Sequence, residues 1–342
     1  MKRNLCWAAV GAVAALALTA CGSNPNESDD SADGGDSGDG GGQEETVENP
    51  ETLILGLVPS QEVDSLVEDA DALGALISEE IGIPVETFVS ESYAALVTAM
   101  GTGQAHIGMF GPIALVQAAD QSGAEIILQS VRYGSPTYHT QWFTNDPDTY
   151  CLDDVVEVTN DDGSVYTFCN GTDEAETGPA GEDALALIEQ DTPISMVDAS
   201  SASGYYYPAT QLQRVADLDP LTLNTQFAGG HPNSVLNVAS GDYPVGVSFD
   251  DARDELVEED PQIGENVTVF AYSNEIPNDG VAVAGDLSDE LTQQISDAMV
   301  AVMETEEGAE MYDEVYSIEG LVPADLDALE EAREVEANFA DL

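Results

Sequence analysis

Three short stretches of this chain carry residue types from which an anion site can be assembled. In Val197-Asp198-Ala199-Ser200-Ser201-Ala202-Ser203-Gly204, small side chains let backbone N–H groups come close to an anion. A following helix N-terminus adds positive partial charge, and the serine hydroxyls add donors. The plainer reading is a serine-rich turn. In Phe227-Ala228-Gly229-Gly230-His231-Pro232-Asn233, Pro232 suits the first helical position, which sets His231 at a helix mouth with a ring N–H to offer. The alternative there is a solvated loop histidine. The third stretch is Gly111-Pro112, with Tyr93 opening the preceding helix and Tyr138 following in Gly134-Ser135-Pro136-Thr137-Tyr138. Tyrosine hydroxyls are neutral donors suited to an oxyanion, or simply the polar ends of half-buried rings.

All three lie where strands meet helices. Residues 53–58 form a short apolar run ending at Pro59-Ser60, and Ser60 is placed to cap the next helix. Val63, Leu66, Val67, Ala70, Leu73, Leu76, Ile77 and Ile81 repeat at the spacing of one buried helical face. Strands are expected at 84–89, 107–110 and 126–130, with helices at 93–100 and 113–121 between them. A second series places strands at 194–197, 223–227, 245–249, 267–272 and 281–284. Its helices fall at 207–218, 234–240 and 252–258, and three helical stretches, 288–304, 308–316 and 323–341, end the chain. Such alternation implies βαβ units, a mostly parallel sheet in each of two α/β lobes, and ligands at the carboxyl ends of the strands. Lobe 1 is expected over 51–140 plus 274–342 and lobe 2 over 141–273.

Charge and leader narrow the class. The 342 residues hold 67 acids against six Lys and Arg, a formal charge of −61. Nucleic acid is excluded as a partner, since a phosphate backbone needs clustered cations. Lys2 and Arg3 precede an uncharged apolar run from Leu5 to Leu18, too short to span a bilayer and suited to a secretory signal over 1–20. Leu18-Thr19-Ala20-Cys21-Gly22 matches a bacterial lipobox with Cys21 as the acylated residue, giving an exported chain held to the outer face of the cytoplasmic membrane by its lipid alone. Residues 21–50 are a Gly/Ser/Asp/Glu tether unable to form a core. Once the leader is removed, four arginines and no lysine face all 67 acids, which suggests a halophilic source whose salt screens the self-repulsion. The grip on any anion is then expected from hydroxyls, backbone dipoles and His231.

Cys151 and Cys169 bracket an alternating stretch around Asp162-Gly163, which reads as a β-hairpin insertion near 144–183 closed by a disulfide. No metal site is expected, because no further Cys or His stands at ligand spacing. No catalytic constellation is expected either. The chain has no Gly-x-Ser-x-Gly elbow and no zincin helix, and three histidines leave little for a triad. Cofactors are not implied.

Taken together, LGLVPS (55–60), SYAALVTAM (92–100), MFGP (109–112), GSPTYHT (134–140), VDASSASGYYYP (197–208), FAGGH (227–231), SFDDA (248–252) and IPNDG (276–280) resemble the phosphate/phosphite/phosphonate ABC-transporter substrate-binding family over roughly 53–316. The resemblance implies a two-lobed α/β fold of the type II periplasmic-binding-protein kind, a monomer that serves a permease and its ATPase. It implies a phosphorus oxyanion gripped by Tyr93, Tyr138, Ser201, Ser203 and His231, with acidic partners at Asp251 and Asp279. Ala202 departs from the family, where a threonine is usual, so one side-chain donor is missing. The two aspartates would suit a ligand that brings its own P–OH proton to Asp279, or an aminoalkylphosphonate whose ammonium sits between them; the first is preferred. A lipoprotein for another small solute, or a secreted α/β hydrolase, is the alternative.

Overall fold

The computed structural model describes residues 49–160, 163–175 and 178–340. The expected signal peptide, Cys21, most of the tether and Asp162 of the hairpin turn lie outside the described residues. In chain order, β1 (Leu53–Leu57), α1 (Val63–Ile81), β2 (Val85–Val89), α2 (Tyr93–Gly101), β3 (Ile107–Phe110), α3 (Pro112–Ser122) and β4 (Glu125–Val131) build the first lobe. Two-residue β5 (Thr137–Tyr138) follows. Then β6 (Thr140–Thr144), α4 (Pro147–Tyr150), β7 (Val156–Thr159), β8 (Val165–Phe168), β9 (Ile194–Met196), α5 (Tyr207–Ala216), β10 (Thr225–Phe227), α6 (His231–Ala239), β11 (Val245–Phe249), α7 (Ile263–Asn266) and β12 (Thr268–Tyr272) form the second. The chain returns through β13 (Ile276–Pro277) to β14 (Gly280–Val283), α8 (Asp289–Met303), α9 (Glu306–Tyr316), β15 (Gly320–Pro323) and α10 (Leu326–Ala340).

The first sheet has the order β15-β4-β14-β3-β1-β2 and the second β10-β9-β11-β6-β12-β8-β7. The two segments that pass between the sheets pair with each other, Ile276 opposite Tyr138 and Pro277 opposite Thr137. Both sheets are mixed, not mostly parallel as expected. β1 runs parallel to β2 and β3, but β14 is antiparallel to β3 and β4. β6 is likewise antiparallel to β11 and β12. β14 and β6 are the strands the chain enters after passing from the other sheet, so no βαβ crossover sets their direction.

Leu53, Leu55 and Leu57 of β1 are fully buried under Leu66, Leu73 and Ile77 of α1, which fixes the first core. In the second lobe adjacent Trp142 and Phe143 enter different clusters on opposite faces of β6. Five consecutive residues of that strand are buried, which is why Thr140–Thr144 shows no apolar alternation to read. Two local expectations are corrected. The cap of α1 is Glu62, whose carboxylate accepts from Asp64 N and Ser65 N, and Ser60 is free for another role. Residues 252–258 form only a 3₁₀ turn, Asp254–Leu256, because Arg253 turns inward and is fully buried. Cys151 and Cys169 are joined by a disulfide with Cα atoms 5.7 Å apart, across the base of the β7–β8 hairpin. Among the described residues, no helix is long and apolar enough to cross a membrane.

Candidate functional site

Where the lobes meet, a small cavity leaves about 20 Å³ for the centres of water-sized atoms. That exceeds what one water needs. It suits a compact group. Both lobes supply its wall, and a direct bond already joins them there: His231 N donates to Ser60 O at 2.8 Å.

The donors come from the ends of helices. Tyr93 is the first residue of α2, which Ser92 caps by accepting from Ala95 N, and its ring is buried in the wall. The Ser201 hydroxyl accepts from Gly204 N at 3.0 Å and so holds a tight π-helical turn, Ala202–Tyr206, ahead of α5. That bond uses a lone pair and leaves the Ser201 proton to donate. Ser203 lies in the same turn, 1% exposed, and lines the cavity with Tyr138. Ala202, at the position of the family's threonine, lines the cavity while its methyl packs with Ile113, Val116 and Tyr207. The turn therefore keeps its backbone donors but adds an apolar contact where a hydroxyl is usual.

His231 opens α6 and its tautomer follows from its partners. Nδ1 accepts from Phe249 N at 3.3 Å and lies 2.9 Å from Ser248 Oγ. A ring nitrogen that accepts a backbone N–H is unprotonated, so Nε2 carries the proton. Burial, reinforced by the positive charge of Arg132, pushes the imidazole down to about 3. His231 is thus a neutral N–H donor at any ordinary pH. Tyr93 and Tyr138 also stay protonated, because burial, with Asp279 nearby, holds their phenols above the usual range.

Asp279 supplies the acceptor. Its backbone carbonyl is fixed by Ser130 N and Ser130 Oγ, and its carboxylate passes so close to Gly111 that a side chain there would touch Oδ1 at 3.4 Å. Burial raises this carboxyl to about 6, although Arg132 pulls it the other way.

Seven of the eight residues expected from the sequence (Tyr93, Tyr138, Ser201, Ala202, Ser203, His231 and Asp279) come together in this wall. Asp251 does not. It is turned into the second lobe, where both its oxygens bind Arg253 Nε at 3.0 and 3.1 Å and Oδ2 binds Nη2 at 2.6 Å. Arg253 is itself sandwiched against Tyr166 and Phe168 and donates to the Thr167 and Val267 carbonyls. Burial favours the neutral acid, but the Arg253 charge and its hydrogen bonds hold Asp251 below the usual range. Its duty is to neutralise that buried guanidinium.

Sequence reasoning missed Ser60, Phe249, Tyr316 and Arg132. Tyr316 closes the cavity from the end of α9, its hydroxyl donating to Val58 O at 2.7 Å across 258 positions of sequence. Nothing local could have found it. Arg132 had a signal, its rarity. Beyond the wall shared by Arg132, Tyr138 and Phe249 lies a second chamber of about 140 Å³, which also has Asp250 and Glu275 on its lining. Among the described residues, no group of three or more His, Cys, Asp or Glu could hold a metal ion.

The comparisons agree with this geometry. The sequence model of the family described as "ABC transporter, phosphonate, periplasmic substrate-binding protein" matches residues 55–329. The chain is 25% identical over 229 residues to the phosphate-import protein PhnD of Mycolicibacterium smegmatis, an alignment covering 63% of this chain and 60% of that protein. It is 21% identical over 252 residues to the phosphonates-binding periplasmic protein of Escherichia coli, covering 73% and 66%. The alignments thus span just under two thirds of these relatives' lengths. The relatives are substrate-binding proteins and not enzymes. In fold, PhnD1 of Prochlorococcus marinus, solved with methylphosphonate, superposes with a TM-score of 0.69 at 16% identity over 86% of this chain and all of that one. A binding-protein component of an ABC phosphonate transporter from Pseudomonas aeruginosa gives 0.68 at 19%, over 84% and 86%. With the match running through both lobes and across every loop of the cavity, this chain belongs to the phosphonate ABC-transporter periplasmic substrate-binding family.

Proposed function

We propose that this protein is the extracytoplasmic solute receptor of an ABC importer, closing two lobes on a phosphorus oxyanion and delivering it to the permease. The observation that carries the reading is the cavity itself. It is a small compartment walled by neutral hydroxyl and imidazole donors and by Arg132, with one carboxyl acceptor at Asp279. Tetrahedral oxyanions with one protonated oxygen fit both features: ionised oxygens meet the donors, and a P–OH meets Asp279. An ammonium held between Asp251 and Asp279 is disfavoured, because Asp251 is committed to Arg253. In this proposal lobe 1 comprises 51–140 plus 274–342 and lobe 2 comprises 141–273, hinged where the chain crosses. The chain is a monomer, exported by residues 1–20 and anchored through Cys21 on the tether, and its acidic surface is suited to molar salt.

The test is a thermal-shift panel of phosphate, phosphite, methylphosphonate, 2-aminoethylphosphonate, sulfate and amino acids in molar salt, since a ligand that binds only the folded state raises the melting temperature. A simple phosphorus oxyanion should give the largest shift. If none of them shifts the transition, or an amino acid does so more strongly, the reading is wrong. If the aminoalkyl compound binds more than about tenfold tighter than the others by calorimetry, the protonated-oxygen preference is overturned.

A further inference from the structure

Four arginines lie among the described residues, in a chain with 67 acids to pair with them. Three are paired: Arg214 with Glu182, Arg253 with Asp251, and Arg333 with Asp120 and Glu330. Arg132 is 6% exposed and forms no ion pair or side-chain hydrogen bond with any described residue. Its Nε is buried without an acceptor. Its guanidinium packs on the Phe249 ring, 4.8 Å from Cζ to the centroid, and feels the charges of Asp279 and Glu255 without an ion pair to either. Phe249 in turn leans on His231, ring centroids 4.7 Å apart.

A buried charge with no counter-ion is expensive, and folded proteins pair it or neutralise it. An arginine cannot lose its proton. The backbone at Arg132 is fixed by a turn. Arg132 N and Ser135 N each bond the other residue's carbonyl, closing a turn through Tyr133 and Gly134, both at positive φ. Arg132 lines the cavity together with Ser201, Ser203 and His231 of the second lobe.

We infer that Arg132 is a specificity-determining ligand residue, whose guanidinium takes the ionised oxygens of the bound oxyanion while Asp279 takes its protonated one. This deepens the receptor reading above and rests on it. The pair makes the cavity selective for a ligand that is both negatively charged and able to donate one proton, which describes a phosphorus oxyanion monoanion. It excludes sulfate, which has no proton to give, and neutral phosphotriesters, which have no charge. The rival explanation is structural: Arg132 could serve Glu255, a buried acid whose Oε1 is unpartnered and which feels the Arg132 charge without ion-pairing to it.

The test uses the full two-lobed protein with Arg132→Gln, Arg132→Lys and the double variant Arg132→Gln/Glu255→Gln. Each is titrated with methylphosphonate and phosphite by calorimetry and melted without ligand. Arg132→Gln should weaken binding on the order of a hundredfold while leaving the ligand-free melting temperature unchanged or raised. Arg132→Lys should recover part of the loss, and Glu255→Gln should recover none. Binding within twofold of wild type in Arg132→Gln overturns the inference and leaves the receptor reading standing. So does a drop in ligand-free stability that Glu255→Gln repairs together with affinity. Failure of the wild type to bind any phosphorus oxyanion overturns both.

Discussion

Asp279→Asn should stabilise the ligand-free protein above neutral pH while weakening its preference for protonated oxyanions. The Asp279 carboxyl is raised from 3.8 to about 6, first by burial, with Arg132 opposing. Roughly two pKa units at 1.36 kcal/mol each is a cost of about 3 kcal/mol for holding the ionised group in the folded state. This is a ceiling, since Asp279 is half-buried and partly screened. The sign follows from linkage. Between pH 3.8 and about 6 the folded state binds more protons than the unfolded one, so stability rises as pH falls through that window and the full cost is present above it. His231 works in the opposite sense. With its pKa lowered to about 3, it stays neutral in the fold while the unfolded chain takes up a proton below pH 6.5, so its contribution is lost on acidification. A wild-type pH profile mixes the two, but the difference between wild type and Asp279→Asn isolates the carboxyl.

Asparagine has the shape of aspartate and leaves the approach to Gly111 unchanged, so the comparison removes a charge without opening a void. The assay is denaturant unfolding of both proteins at pH 8 and pH 5 in one fixed salt concentration, free of phosphorus oxyanions. The variant should gain about 1–3 kcal/mol at pH 8 and about half of that at pH 5. Calorimetry on the same samples should show the phosphite-over-sulfate preference falling on the order of a hundredfold, because an amide can donate where the carboxylate could only accept. Equal stability at pH 8, or a gain that does not shrink at pH 5, would refute the assignment of Asp279 as a strained acceptor.

Ser203→Ala should weaken binding by about 1.5–3 kcal/mol, the range for a hydrogen bond to a charged group; calorimetry showing unchanged affinity in both Ser201→Ala and Ser203→Ala would remove that turn from the site. Stopped-flow association should quicken as salt screens the acidic surface, while dissociation from the buried cavity changes much less; slower association at higher salt in folded protein contradicts this. Replacing Cys151 and Cys169 together by serine should cost about 3 kcal/mol of stability, as for a loop of this length, with ligand affinity intact because the hairpin contributes nothing to the cavity wall.

Periodicity in the sequence sufficed where a helix buries one face, as the α1 stripe led to Val63–Ile81, and an unbroken aliphatic run sufficed for Leu53–Leu57, a strand covered on both faces. It failed at Thr140–Thr144, buried on both faces, and at 252–258, where Arg253, which reads as solvent-facing, is fully buried. The site divides the same way. Tyr93, Ser201, Ser203 and His231 were legible because each stands at a strand–helix junction with small or glycine neighbours, which is a local property. Asp251 looked equivalent to Asp279 by chain position, yet two residues further on stands the arginine that captures it. Tyr316 and Arg132 needed the tertiary structure, since neither belongs to a junction that the sequence marks.

How so acidic a protein can hold an anion follows from how few groups the anion actually meets. Surface carboxylates act through water and salt, which screen them within about 10 Å or less. Inside the cavity the formal charges above pH 6 are two and opposite, the Asp279 carboxylate and the Arg132 guanidinium. Tyrosines and His231 are kept neutral by burial, and Asp279 is raised towards neutrality by the same cause. Against that background the Arg132 guanidinium offsets the Asp279 charge that would otherwise repel an anion. The closed arrangement depends on the same groups, because His231 reaches Ser60 through its backbone and the cavity through its ring. An oxyanion touching donors from both lobes at once gains contacts only when they are together, and that difference in affinity is what can shift the population towards closure. In the proposed reading, binding, selectivity and closure draw on one small set of residues where the lobes meet, while the surface carboxylates govern the approach and the solubility of the chain.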